Sequence, residues 1–327
     1  MTRPTIMTAL LFSLLIGLVP TGCGPAPETP KTSSEERITV VATTGMIADM
    51  VRSIGGDSVA VTTLVGEGVD PHLYQPTRDD VATLLDSDLI FYNGLFLEGR
   101  MGDVLDQAGK DRPVVAVAEV IDTTQLIHPE EEEHVDPHVW LSPDRWASCG
   151  EAVRATLAGH APEQAETFQS NFEAWTARTG ELTELGVRSI GSIPPDARVL
   201  VTSHDAFNYF GQAFDIEVVA VQGISTESEA GLADIEALVD LIVERKVPAV
   251  FVESSVPRRS IEALVEGAAA RGHDVVIGGE LYSDSMGPAG TPEGTWEGMV
   301  RHDIVTVTKA LGGTVTVTEP VQEDQPS

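Results

Sequence analysis

The sequence predicts an α/β fold of two doubly wound lobes with mostly parallel sheets, joined by one long rigid helix. Three observations carry this expectation. Short apolar runs rich in Val, Ile and Leu alternate with stretches of helical period along most of the chain, the rhythm of parallel strands with crossover helices. The 327 residues exceed the usual size of one domain, so two lobes of roughly 130–150 residues are expected. Between the two alternating regions, residues 162–189 keep a helical period without a proline after Pro162.

In chain order, residues 37–44, carrying Ile38, Val40, Val41 and Ala42, read as a buried strand. Residues 46–54 have helical period and stop at Gly55-Gly56. A second strand covers 59–65, a helix behind Pro76 covers 77–85, and further strands cover 89–92 and 114–117. The long helical stretch carries apolar Phe168, Phe172, Trp175, Leu182, Leu185 and Val187 and ends ahead of Pro194-Pro195. Alternation then resumes with strand 198–202, helix 206–214, strand 216–221, helix 232–245, strand 249–253, helix 260–271, strand 274–278 and a closing helix over 299–311. The expected organisation is an export signal over 1–22, a linker over 23–36, a first lobe over 37–161, the linking helix over 162–193, a second lobe over 194–318 and a polar tail over 319–327.

Composition narrows the function classes. Apolar residues make up 42% and aromatics only 5%, so the cores should rest mainly on Val, Leu, Ile and Ala. Fifty-one acidic against 20 basic residues give a formal net charge of −31. A field of that sign repels nucleic acid and anionic headgroups, which excludes a phosphate-backbone partner. It fits an acidic extracellular surface, and any attraction of metal toward a site is a side benefit that salt screens.

At the N-terminus Arg3 precedes an apolar run over 6–18, too short to span a bilayer. Leu18-Val19-Pro20-Thr21-Gly22-Cys23 follows, and a small residue before a Cys at the end of such a run resembles a bacterial lipoprotein cleavage site. Pro20 departs from it, standing where such sites carry Leu. Export is expected, with a lipid on Cys23 as membrane anchor; plain secretion with Cys23 unpaired is the alternative. The other cysteine, Cys149, reads as a buried thiol on a helix, and two cysteines cannot build a thiolate metal site.

The residues that could carry chemistry are few. Asp70-Pro71-His72 and Asp136-Pro137-His138 are identical tripeptides, each after an extended segment, with proline restraining the backbone beside each His. His204 follows the strand Leu200-Val201-Thr202-Ser203, at the carboxyl end where open α/β sheets place ligands. Asp284 lies just past another strand. Three imidazoles and one carboxylate, two from each lobe, suit a transition-metal dication held across a cleft. Each His taken alone reads more simply as a hydrogen-bonded structural residue.

Longer segments carry a resemblance. Thr43-Thr44-Gly45-Met46-Ile47-Ala48-Asp49-Met50, Asp70-Pro71-His72-Leu73-Tyr74-Gln75-Pro76, Asp136-Pro137-His138-Val139-Trp140-Leu141-Ser142-Pro143, Ser203-His204-Asp205-Ala206-Phe207 and Gly279-Glu280-Leu281-Tyr282-Ser283-Asp284 resemble, in order, the TroA-like manganese and zinc receptors of bacterial ABC importers. The resemblance runs from about residue 38 to 311. It implies a non-enzymatic solute-binding lipoprotein on the outer face of the membrane or in the periplasm, expected to be a monomer. It implies delivery of Mn2+ or Zn2+ to a permease and its ATPase subunit, with His72, His138, His204 and Asp284 as ligands. It also implies a linking helix that permits only small tilting of the lobes. Manganese specialists often carry Glu where this chain has His204, and zinc specialists a long His-rich loop between the first two ligands; this chain has only His128 to His134 there. A dual-use site is expected, with manganese as the favoured cargo.

Other residues have two readings. Residues 130–134 form a solvated acidic loop or a weak metal-collecting one. Glu253 either orients a ligand His or caps the next turn. His160, His273 and His302 read as surface or capping residues. A zinc hydrolase is the enzymatic rival, although no His-Glu-x-x-His helix is present and all four positions are filled by protein. A surface adhesin is the non-transporting rival.

Overall fold

Strand β1 (Ile38–Ala42) is apolar on both faces, as a central strand covered by helices must be. In the computed structural model, which describes residues 37–129, 134–228 and 230–316, β1 lies between β2 (Val59–Thr63) and β3 (Leu89–Tyr92). β4 (Val114–Ala116) adds to β3, and the sheet order is β2-β1-β3-β4 with every pair parallel. Helix α1 (Gly45–Gly55) follows β1 and buries Met46, Ile47, Met50, Val51 and Ile54. Helix α2 (Arg78–Asp86) starts on a reciprocal cap: Thr77 Oγ1 accepts from Asp80 N, and Asp80 Oδ2 accepts from Thr77 N. A short α3 (Gly102–Ala108) precedes β4.

The long helix expected between the lobes is present over Ala165–Gly191, and in the central layer a second helix packs along it. Helix α4 (Pro143–His160) runs into a short turn, and α5 (Ala165–Gly191) packs back along it. The stripe Trp146, Cys149, Val153 and Leu157 has helical spacing behind Ser142-Pro143, so the signal for α4 is present in the sequence. Cys149 is indeed buried there, and burial pushes its thiol pKa up, which keeps it inert.

The second lobe repeats the alternation: β5 (Val199–His204), α6 (Asn208–Phe214), β6 (Glu217–Gln222), α7 (Leu232–Arg245), β7 (Ala249–Glu253), α8 (Arg259–Ala270), β8 (Val276–Leu281) and α9 (Trp296–Ala310). β5 pairs in parallel with β6, β7 in parallel with β8, and β5 runs beside β7. The described residues belong to one compact unit. Among them no helix is long and apolar enough to cross a membrane. The export signal, the linker with Cys23, residues 130–133 and the polar tail lie outside the described residues.

Sparse aromatics do not mean an aliphatic core throughout. All four tryptophans, Trp140, Trp146, Trp175 and Trp296, are at most 1% exposed and gather in the central layer. Trp296 meets Trp146 and Trp175 at ring-centroid distances of 6.3 and 5.9 Å. Two glycines admit this packing: a Cβ on Gly150 would lie 2.3 Å from Trp175 Cζ3, and one on Gly186 would lie 2.2 Å from Phe214 Cε1. Trp175 is wedged and cannot retreat. Gly150→Ala gains about 1 kcal/mol of helix propensity but overpacks the layer by about 1–3 kcal/mol, so a net loss of up to about 2 kcal/mol is expected in urea unfolding. Raised stability would show that the layer is loosely packed.

Candidate metal centre

The carboxyl ends of parallel strands from both lobes converge on one region, and the loops there carry the four candidate ligands. His72 sits in the loop after β2, His138 in the segment after β4, His204 is the last residue of β5, and Asp284 follows β8.

The repeated Asp-Pro-His has a common local form. Asp70 Oδ1 accepts from His72 N at 2.8 Å, and Asp136 Oδ1 accepts from His138 N at 2.9 Å. Each Asp thus closes a turn on the His two residues ahead while Pro presets the backbone between them. At the second copy the carboxylate does more, because Asp136 Oδ1 also lies 2.8 Å from His138 Nδ1. The loop beneath is fixed by Asn93, whose Nδ2 donates to Pro137 O at 3.1 Å, and by buried Glu98, which accepts from Thr43 Oγ1, Asn93 N and Gly94 N.

His204 is held by Glu253 at the end of β7. Glu253 Oε1 accepts from Ser203 N and His204 N at 2.7 and 2.9 Å, and its Oε2 lies 2.5 Å from His204 Nδ1, a close charge contact outside hydrogen-bond alignment. Of its two readings the orienting one describes its place. The Asp284 loop is anchored from three sides: Trp140 Nε1 donates to Ser283 O at 2.7 Å, Tyr282 N donates to Asp303 Oδ1 at 3.0 Å, and Ser254 N donates to Leu281 O at 3.0 Å.

The result is a closed cluster. One donor atom from each of His72, His138, His204 and Asp284 lies within 4.8 Å of the other three, and all four residues are buried. His72 Nε2 is 3.2 Å from His138 Nε2, which is 3.4 Å from His204 Nε2. Asp284 Oδ1 is 3.3 Å from His138 Nε2, and Oδ2 is 3.2 Å from His204 Nε2. Donors about 2.0–2.1 Å from a tetrahedral ion are about 3.3–3.4 Å apart. These four separations match, while His72 Nε2 stands farther from Asp284, at 3.9 Å. With both carboxylate oxygens facing the centre, a fifth donor is on hand.

Electrostatics say what the centre can hold. With carboxylates on Nδ1 of His138 and His204, the neutral tautomers carry hydrogen there and turn bare Nε2 atoms inward. Among the described residues neither oxygen of Asp284 receives a hydrogen bond. A buried carboxylate facing three inward lone pairs is stable only with positive charge between them, either protons on the rings or a cation. Burial opposes a charged His138, yet Asp136 and Asp284 outweigh it and raise its pKa to about 9. His204 is likewise raised against its burial by Glu253 and Asp284. His72 goes the other way: burial lowers it to about 3, only partly offset by Asp284. Burial would raise Asp284, but His204 and His138 hold it well below the usual carboxylate range.

Residues 40–310 match the family described as zinc-uptake complex component A, periplasmic. The chain belongs to that family. It is a family of solute-binding receptors, not of enzymes. The manganese-binding lipoprotein MntA of Bacillus subtilis (strain 168) is 45% identical over 309 residues, covering 94% of this chain and 99% of its own. The zinc-binding protein TroA of Treponema pallidum (strain Nichols) is 47% identical over 272 residues, covering 83% of this chain and 88% of its own. The solved structure of the periplasmic zinc-binding TroA from Treponema pallidum superposes with a TM-score of 0.82 at 46% identity, over 84% of this chain and 99% of that one. Fe(III)-bound YtgA from Chlamydia trachomatis superposes with a TM-score of 0.78 at 27% identity, over 86% and 100% of the two chains.

All four expected family ligands lie in the cluster. Cys23 lies outside the described residues. His134 stacks on Phe96 at 3.8 Å between ring centroids, and His128 Nε2 lies 3.2 Å from Thr123 O. His273 Nε2 and His302 Nε2 lie 2.8 and 3.0 Å from the backbone oxygens of Val247 and Glu280. Sequence reasoning passed over Asp136 and Asp70, although both stand inside the repeated motif it used.

Proposed function

We propose that this chain is the extracytoplasmic receptor of an ABC importer, which binds Mn2+ or Zn2+ between His72, His138, His204 and Asp284 and delivers it to the permease and its ATPase. One observation carries the reading: a fully buried carboxylate, without a hydrogen-bond donor among the described residues, faces three imidazole Nε2 atoms within 4.8 Å. Asp136 and Glu253 add negative charge behind two of the rings, which favours a dication at the centre. The bidentate approach open to Asp284 accommodates manganese as well as zinc. The MntA and TroA likenesses, one named for manganese and one for zinc, support a dual-use site. Export with a lipid on Cys23 keeps the receptor beside its permease. The hydrolase reading has little support, since a centre closed by four protein ligands leaves no obvious place for an activated water.

The test is elemental analysis of protein purified from its native envelope, followed by competition between Mn2+ and Zn2+. About one equivalent of metal per chain is expected; protein that carries none and takes up neither ion would end the proposal.

Acid weakens binding on this account. A proton that remains on His138 below about pH 9 must leave before Nε2 can bind, so affinity falls as pH falls from there, by about one log unit per pH unit for each proton displaced. Titration calorimetry in buffers of different ionisation enthalpy should register proton release at pH 7. Release of none would contradict the charge pattern of the site.

A further inference from the structure

The three imidazoles are not held alike. His138 and His204 each have a carboxylate on Nδ1 from their own lobe, Asp136 and Glu253. His72 has none among the described residues. Its Nε2 stands 3.9 Å from Asp284, against 3.3 and 3.2 Å for the other two rings. Its side chain is 5% exposed where theirs are fully covered, and it faces a cavity also lined by Phe96 and Arg100.

What fixes His72 is its backbone bond to Asp70 Oδ1, and Asp70 is in turn held from across the cleft. Asp70 Oδ2 accepts from Thr226 Oγ1 at 2.5 Å, and Thr226 lies 156 positions away, in the loop after β6 of the other lobe. The next residue, Glu227, accepts from Arg100 Nε and Nη2 at 3.0 and 2.9 Å, while Arg100 Nη1 donates to Leu73 O at 3.4 Å. The turn that carries His72 is therefore tied on both sides to one loop of the opposite lobe, while the residues ahead of it, Glu67 and Gly68, meet Ala289 N and Ser285 Oγ of another. Asp136 is also reached from across the cleft, with Asn208 Nδ2 donating to its Oδ2 at 3.2 Å and the Tyr209 hydroxyl to its backbone oxygen at 2.9 Å. It holds His138 at two points, N and Nδ1, within their own lobe, where Asp70 holds His72 at N alone.

We propose that Thr226 is a positioning residue which, acting through Asp70, keeps His72 in the ligand set, so that withdrawal of the loop after β6 makes His72 the first ligand to leave. The inference rests on the metal-receptor reading and names the order of its release. When the lobes part, the Thr226 hydroxyl leaves Asp70, the carboxylate loses one of its two restraints, and the His72 turn relaxes. His138 and His204 stay braced within their own lobes. The ion is then left with fewer donors and an opening on the His72 side.

The experiment is stopped-flow release of Zn2+ from the singly loaded full chain into excess chromogenic chelator. Thr226→Val keeps the shape and removes the hydroxyl. Release should accelerate about tenfold, the size of one hydrogen bond to a charged acceptor. Thr226→Ser should restore the wild-type rate. The visible bands of the Co2+-loaded protein should shift in Thr226→Val and not in Thr226→Ser, while both metal-free variants melt with the wild type. Wild-type release by Thr226→Val, or equal acceleration by Thr226→Ser, overturns the inference while leaving the receptor reading intact. A wild-type chain that takes up no Zn2+ overturns the receptor reading and the inference with it.

Discussion

Replacing Asp284 with alanine should lower affinity for both Mn2+ and Zn2+ at least about a thousandfold, equivalent to about 4 kcal/mol. It is the only anionic member of the cluster, it is buried, and both its oxygens face the imidazoles. Its loss removes one or two donors together with the charge that offsets the dication. The same deletion removes one of the two carboxylates that favour the protonated forms of His138 and His204, with Asp136 and Glu253 left in place, so easier deprotonation of the rings offsets only a small part of the loss. Asp284→Asn keeps one oxygen donor and should retain more affinity than the alanine variant. Titration calorimetry with each metal checks both, with circular dichroism to show that the fold is kept. Near-wild-type affinity in Asp284→Ala would remove the carboxylate from the ligand set.

The second large effect is expected at Glu253, through two separable contributions. Its Oε1 satisfies two buried backbone N–H groups, Ser203 and His204, and its Oε2 faces His204 Nδ1. Glu253→Ala orphans both donors at about 1–3 kcal/mol each, so the metal-free protein should lose about 2–6 kcal/mol of stability. It should also lose about 10- to 100-fold in metal affinity, as removal of a carboxylate behind a ligand His does. Glu253→Gln separates the two. Its amide oxygen still accepts from the backbone, so stability should largely return. Its NH2 faces Nδ1 and forces hydrogen onto Nε2, the tautomer that cannot bind metal, so affinity should stay low. Urea unfolding and calorimetry on the two variants read these effects independently. Full affinity in Glu253→Gln would show that the tautomer of His204 is not set from behind.

How far the sequence alone reaches is visible in particular residues. The strands Ile38–Ala42, Val199–His204 and Ala249–Glu253 were legible because central parallel strands must be apolar on both faces, which leaves short β-branched runs few other readings. The ligands were legible because His and Asp stand at the carboxyl ends of those strands, and because Asp-Pro-His recurs. Helix α4 was legible only at Cys149, read as lying on a helix, and not in its extent, since Ala and Gly residues dilute its apolar face. Contacts that exist only in three dimensions were beyond reach. Nothing local in Thr226 points to Asp70, nothing in Trp140 to the oxygen of Ser283, and nothing in Trp296 Nε1 to the oxygen of Trp140. The two readings of Glu253 were inseparable for the same reason, because its partner is set by how β5 lies beside β7.

The central claim is tested most directly by anomalous diffraction at the manganese and zinc absorption edges, on crystals of the chain loaded with one equivalent of either metal. One peak is expected per molecule, about 2.0–2.3 Å from Nε2 of His72, His138 and His204 and from the Asp284 carboxylate. A peak bound elsewhere, or a cluster that stays empty while the protein in solution holds its metal, would contradict it.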